Sequence, residues 1–332
     1  MKNYSPLVTL QRAGFKQCPI CAKPDNCSAR PDRSAVFCRR WREAGRFDGK
    51  EGADGGMLFV LNDSFIPPAR PVASKPKVIE RASADHLHRV YSELLALLPL
   101  QPRHLDDLLR RGLPLREIQR RGYRSTWDDS QARELAQRLE PLGLAGVPGF
   151  FKYHGEWTLA RCLPGFFVPY RDRQERIGGM MFRLDVPIEK QKYRWLSTKD
   201  RIGGTSSGAP LHFARPHLIP KAREIWLTEG ALKSDVAAYY LRAPFIASGG
   251  VTQWRANFAA RFKSSFPHIR QIVIAFDSDW RVNDSVRAAL ERLMRLLDEA
   301  QLRFIVRTWP QSSKGIDDYC LSLHQQKGAI AA

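Results

Sequence analysis

The chain has 332 residues, 43% of them hydrophobic, with 53 Lys and Arg against 34 Asp and Glu, a formal charge of +19. That excess favours a polyanionic partner, nucleic acid before an anionic membrane surface. There is no long apolar segment or basic amphipathic anchor, and the opening MKNYSPLVTLQRAGFKQCP has no signal-peptide core, so no membrane role and a cytoplasmic protein are expected.

Residues 1–65 lack helical periodicity and are rich in Cys, Gly and Arg. In CPICAKPDNCSARPDRSAVFC the cysteines Cys18, Cys21, Cys27 and Cys38 are separated by two, five and ten residues. Thiolates suit tetrahedral Zn²⁺, and a Cys-x-x-Cys turn supplies two ligands from one knuckle, so a structural four-Cys zinc module is expected. The alternative is that some of these thiols are free or buried. Cys162 and Cys320 stand alone and read as structural. In CRRWREAGR, Arg39 and Arg40 beside Trp41 suit phosphate contacts and base stacking, or else a solvated basic face.

Residues 66–83, rich in Pro and Lys, read as a linker. Residues 84–144 show short helical periods broken by Pro and Gly, a small helical module. Residues 145–220 turn strand-rich and basic. Residues 221–325 alternate strand and helix, which argues an α/β domain with a mainly parallel sheet.

Acidic residues recur where such sheets display chemistry. EIWLTEG ends on Glu229, QIVIAFDSD on Asp277 and Asp279, and SSKGIDDY adds Asp317 after the last strand. Ligands gather beyond the carboxyl ends of parallel strands, so the three segments are expected to meet. Clustered carboxylates repel unless a cation joins them, and hard oxygens suit Mg²⁺ or Mn²⁺. With a regular strand, Asp277 and Asp279 would share one face. Each segment alone is equally compatible with a helix cap or a solvated turn.

This pattern of Glu-Gly, Asp-x-Asp and a closing acidic segment resembles the Toprim domain of bacterial-type primases, topoisomerases and some nucleases. Glu229, Asp277 and Asp279 match its glutamate and paired aspartates. The resemblance implies acid–base or metal work for the first and divalent-metal binding for the others. Upstream, LPGFFVPYRDRQERIGGMMFRLD, KYRWLSTKD and LHF are similar to the basic subdomain that precedes Toprim in bacterial-type primases. This implies that Arg171, Asp172, Gly178, Gly179, Arg183, Lys192 and Tyr193 line the path of template and nucleotide. With the cysteine module in front, the order is that of primase-like proteins of phages, plasmids and integrated mobile elements. The resemblance covers about 18–60 and 160–320. In place of the usual acidic-Ala-Gly turn, WRVNDSV follows Asp279; Asp284 either replaces the missing acid or caps a helix.

The expected function is therefore synthesis of short RNA primers on single-stranded DNA from ribonucleoside triphosphates. Mg²⁺ or Mn²⁺ would be held by Glu229, Asp277, Asp279 and Asp317. Arg171, Arg183, Lys192, Tyr193 and Lys199 would steady template and triphosphate, with Lys233 either a further phosphate contact or a solvated helix lysine. GGTSSG is not a phosphate loop, so a separate replicative helicase is a candidate partner. The alternatives are a Toprim-type nuclease and a non-catalytic single-stranded-DNA-binding replication protein.

Overall fold

The computed structural model describes residues 7–46, 50–51, 56–61, 79–188, 191–310 and 312–330. Most of the expected linker, residues 66–78, lies outside them. The chain divides into two compact units, 1–74 and 75–332.

In the first unit, β1 (Val8–Thr9), β2 (Ser28–Ala29), β3 (Ala35–Cys38), β4 (Lys50–Glu51) and β5 (Met57–Val60) form one antiparallel sheet in the order β1-β2-β3-β5-β4. Its apolar centre is slight: Leu10, Ile20, Val36, Trp41 and Phe59 pack around Cys18, Cys27 and Cys38. A core of this size ordinarily needs a further tie.

The second unit opens with helices α1 (Ala84–Ala96), α2 (Pro102–Arg110) and α3 (Leu115–Arg121), then β6 (Arg124–Ser125) and α4 (Ala132–Leu139). Hairpin β7 (Phe150–Tyr153) and β8 (Glu156–Leu159) follows, then β9 (Gly165–Arg171), β10 (Ile177–Ile188) and β11 (Gln191–Trp195). Strands β11-β10-β9-β6 make one antiparallel sheet. The helical stretch and the strand-rich stretch are not separate modules. Leu87, Val90, Tyr91 and Leu94 of α1 and Leu135 and Ala136 of α4 share one core with Phe167, Met180 and Phe182 of β9 and β10. Composition changes at residue 144, but the amphipathic helices find their apolar partner across that change.

The C-terminal sheet comprises β12 (His212–Ala214), β13 (Glu224–Glu229), β14 (Phe245–Ser248), β15 (Gln271–Ile274) and β16 (Phe304–Val306), in the order β12-β14-β13-β15-β16. All neighbours are parallel except β12, which runs antiparallel to β14. Helices α5 (Ala231–Leu241), α6 (Phe258–Ser265), α7 (Asp284–Glu299) and α8 (Ile316–Ile330) complete it. Ile225, Leu227, Ile272, Val273 and Ile274 are almost wholly buried, as in parallel strands covered on both faces. No described helix is long and apolar enough to cross a membrane.

Candidate active site

Parallel pairing sets Leu227 opposite Ile274, where β15 ends, and β13 runs on two residues to Glu229. Beyond that pair, Thr228 Oγ1 donates to Ala275 O at 2.8 Å, and Asp277 N–H donates to Glu229 Oε1 at 3.1 Å. Gly230 turns the chain from β13 into α5 with φ +79°, a left-handed conformation that suits glycine. Glu229 and Asp277 thus meet by sheet register.

Asp277 and Asp279 do not share a strand face. The strand ends at Ile274; Asp277 occupies the N-cap position of a 3₁₀ turn, Ser278–Arg281, and Asp279 lies inside it. Ser278 is the hinge with the closing segment, since its N–H and Oγ both donate to Lys314 O, at 3.0 and 3.1 Å. This draws Asp317, in the first turn of α8, toward Asp277. A Cβ at Gly315 would stand only 2.5 Å from Asp277 Oδ1 and 2.7 Å from Asp317 Oδ1, so glycine permits the approach. Asp284 does not replace a missing acid. The cap of α7 is Asn283, which accepts from Ser285 N–H at 3.1 Å, while Asp284 is 94% exposed and paired with Arg287.

A lysine sits among the carboxylates. Lys233 Nζ donates to Glu229 Oε1 at 2.6 Å and also contacts Asp277 Oδ1. All three side chains are less than one-fifth exposed. Burial pushes the Glu229 carboxyl up to about 7, against the pull of Lys233 and with help from Asp277. Burial opposes the Lys233 charge, but Glu229, Asp277 and Asp317 outweigh it and hold its pKa above the ordinary value. Burial also raises Asp317. Lys233 is therefore neither a solvated helix lysine nor a free phosphate contact.

The donor set fits a hard divalent ion in its chemistry. Glu229 Oε2 and Asp279 Oδ1 are buried without a hydrogen-bond partner among the described residues, which a cation would remedy. The carboxylates do not by themselves close into a three-ligand cage; among the described residues only the four cysteines do.

Beside Asp317 opens a cleft of about 310 Å³, walled by Arg110 and Arg111 from the end of α2, Arg183 from β10, and Asp317 and Asp318. All three arginines pair with Asp107: Arg110 closely, Arg111 Nε at 3.0 Å and Arg183 at 3.2 Å. Asp107, Asp317 and Asp318 balance the three guanidinium groups in number, so a cation on the acidic side would free guanidinium charge for an anion. Arg110 and Arg111, in the LDDLLRRGL stretch, carried no local signal that set them apart from a solvated helix face. Tyr193 is half-buried opposite Arg183 on β11, while Lys192 and Lys199 are exposed. Arg171 does not face a groove freely: its guanidinium donates to Glu175 O at 2.8 Å and Arg121 O at 3.1 Å, tying β9 to α3.

Behind α5, buried Asp235 receives Tyr123 Oη at 2.5 Å, lies 2.9 Å from His212 Nε2 and contacts Arg121. Two residues along a helix is roughly 200°, so Asp235 anchors the face opposite Lys233. A second polar chain, Ser125 Oγ–His104 Nδ1 at 2.7 Å and His104 Nε2–Asp185 Oδ1 at 2.9 Å, has the order of a hydrolase triad. Ser125 is 1% exposed and already accepts the Gln101 N–H, so it braces the fold.

In the first unit all four Sγ atoms of Cys18, Cys21, Cys27 and Cys38 lie within 4.8 Å of one another, with Cys21–Cys27 at 3.7 Å and Cys27–Cys38 at 3.9 Å. Tetrahedral zinc with bonds of about 2.3 Å sets its sulfurs about 3.8 Å apart, so the cluster fits that ion. Hydrogen bonding among these thiols lowers the pKa of Cys27 and raises those of Cys18 and Cys38. Arg39 and Arg40 line a cleft of about 520 Å³ with Asn26, Cys27 and Ser28. Arg40 is paired with Asp25 at 2.8 Å. Trp41 is no stacking platform: it is 5% exposed, packed in the core with Arg42 over its ring.

The fold defined by these units is a mixed α/β fold resembling primase zinc-binding and RNA polymerase domains. The zinc-binding and RNA polymerase domains of Aquifex aeolicus primase match with a TM-score of 0.57 at 15% identity, over 95% of this chain and 76% of that one. The RNA polymerase domain of Mycobacterium tuberculosis primase matches with a TM-score of 0.55 at 14% identity, over 72% and 82%. The E. coli primase catalytic core matches with a TM-score of 0.51 at 19% identity, over 71% and 76%. A family profile described as a domain of unknown function, DUF3854, matches residues 218–327. No curated protein matches in sequence.

Proposed function

We propose that the chain is a primase-like nucleotidyltransferase with a Toprim-type catalytic domain, which joins ribonucleotides on a single-stranded DNA template. The observation that carries this reading is the meeting of Glu229, Asp277 and Asp317 at one sheet edge, beside a cleft lined by three guanidinium groups, in a primase-like fold. Arg110, Arg111 and Arg183 would hold the triphosphate, with Lys192, Tyr193 and Lys199 toward the template. Glu229, Asp277, Asp279 and Asp317 would hold Mg²⁺ or Mn²⁺, which when bound offsets phosphate charge and favours 3′-hydroxyl attack on the α-phosphorus. The cysteine unit would hold Zn²⁺ and present Arg39 and Arg40 to nucleic acid.

One observation favours a second reading. Lys233 already neutralises part of the acidic cluster, as in a scaffold that binds single strands without turning over nucleotide. Incubation with single-stranded DNA, four ribonucleotides and Mg²⁺ or Mn²⁺ separates the two. Short labelled RNA that disappears in Asp277→Ala supports synthesis; strand binding with no product supports the scaffold.

A further inference from the structure

Lys233 is the cluster member whose place the proposed chemistry does not explain. Its ammonium bridges Glu229 Oε1 and Asp277 Oδ1, the oxygens through which one ion would join the ends of β13 and β15. It lies in the first turn of α5, where the helix dipole disfavours positive charge, so the carboxylates are what keep it there. It also has little room to leave. Its side chain is 15% exposed, a Cβ at Gly315 would stand 3.3 Å from Lys233 Cε, and Asp235 pins the far side of the helix through Tyr123 and His212. The buried oxygens without partners are different ones, Glu229 Oε2 and Asp279 Oδ1.

We propose that Lys233 is a resident cation of this site, filling one of two cation places, so that the cluster takes no more than a single divalent ion, drawn by the unpartnered Glu229 Oε2 and Asp279 Oδ1. The inference rests on the metal-dependent reading above and deepens it. Lys233 is here a positioning residue: it sets Glu229 against Asp277 and limits how many ions the carboxylates can accept. A divalent ion entering between Glu229 and Asp277 would have to displace the ammonium from both carboxylates, leaving Asp317 to offset its charge in a buried setting.

The test is a count of bound Mn²⁺ by electron paramagnetic resonance on the zinc-loaded full chain, wild type against Lys233→Met and Lys233→Gln, with folding checked by circular dichroism. The expected result is one ion in the wild type, lost in Asp279→Ala, and a second ion in both Lys233 variants. Two ions in the wild type, or an unchanged count in folded Lys233 variants, overturns this inference alone. No ion in the wild type overturns the metal-dependent reading and the inference with it. If neither Lys233 variant folds, the wild-type count decides.

Discussion

Lys233 Nζ lies 2.6 Å from Glu229 Oε1, and the two residues are four apart in the chain across a single strand-to-helix turn. That one contact fixes the glutamate rotamer, and Asp277 then fits by donating its backbone N–H to the same oxygen at 3.1 Å. The charged edge is assembled by the chain's own contacts, the preorganisation that the proposed nucleotidyl transfer would require.

Arg183 and Arg111 face the cleft beside Asp317, and both are shared with Asp107. A hydrogen bond to a charged group contributes about 1.5–3 kcal/mol, so Arg183→Ala is expected to raise the nucleotide KM by roughly 10–100-fold. Steady-state kinetics on single-stranded template reads this, with kcat changing less than KM.

Burial disfavours the Asp235 carboxylate, yet Arg121 and His212 hold its pKa down at about 2, against an ordinary 3.8. A depressed folded pKa gives stability that is fully present above about pH 4 and is lost as pH falls from 4 toward 2. The contribution is about 2 kcal/mol. Urea unfolding from pH 7 to pH 2.5 should show this loss, and Asp235→Asn should lack it. At pH 7 that variant, with Arg121 left buried, should be less stable by about 3–5 kcal/mol and melt roughly 10 °C lower.

Any of Cys18→Ala, Cys21→Ala, Cys27→Ala or Cys38→Ala should remove bound zinc and unfold the first unit, because metal binding and folding are coupled in so small a core. Cys162→Ala should leave the metal content unchanged, since that thiol is buried in the second unit. Elemental analysis of the purified variants checks both.

Trp41 and Arg39 are neighbours in the chain but should behave differently. Trp41→Ala removes a core side chain and should cost about 3–5 kcal/mol of stability in the first unit. Arg39→Ala should leave the melt nearly unchanged, weaken single-strand binding across sequences, and reduce the slope of log affinity against log salt by about 1.

Local pattern carried much of this architecture. The apolar runs around Ile225–Leu227 and Ile272–Ile274, separated by helical periods, mark buried parallel strands, and ALKSDVAAYYL coincides with α5. The cysteine spacing located four thiols that the fold gathers into one cluster. Chain-distant contacts were not legible: Lys233 meets Asp277 across 44 positions, and Arg183 meets Asp107 across the expected boundary at 144. Alternation suggested that Asp277 and Asp279 share a face, but pairing stops at Ile274 and a 3₁₀ turn takes over. Trp41 and Arg171 had the composition of nucleic-acid contacts, while burial and carbonyl partners gave them structural work.

The most direct test is template-dependent release of pyrophosphate from ribonucleoside triphosphates, comparing wild type with Asp277→Asn at equal occupancy of single-stranded DNA. Nucleotidyl transfer at this carboxylate edge requires release by the wild type that depends on template and divalent metal, and its loss in Asp277→Asn with strand binding retained. No release by the wild type with either Mg²⁺ or Mn²⁺, or equal release by both proteins, would contradict it.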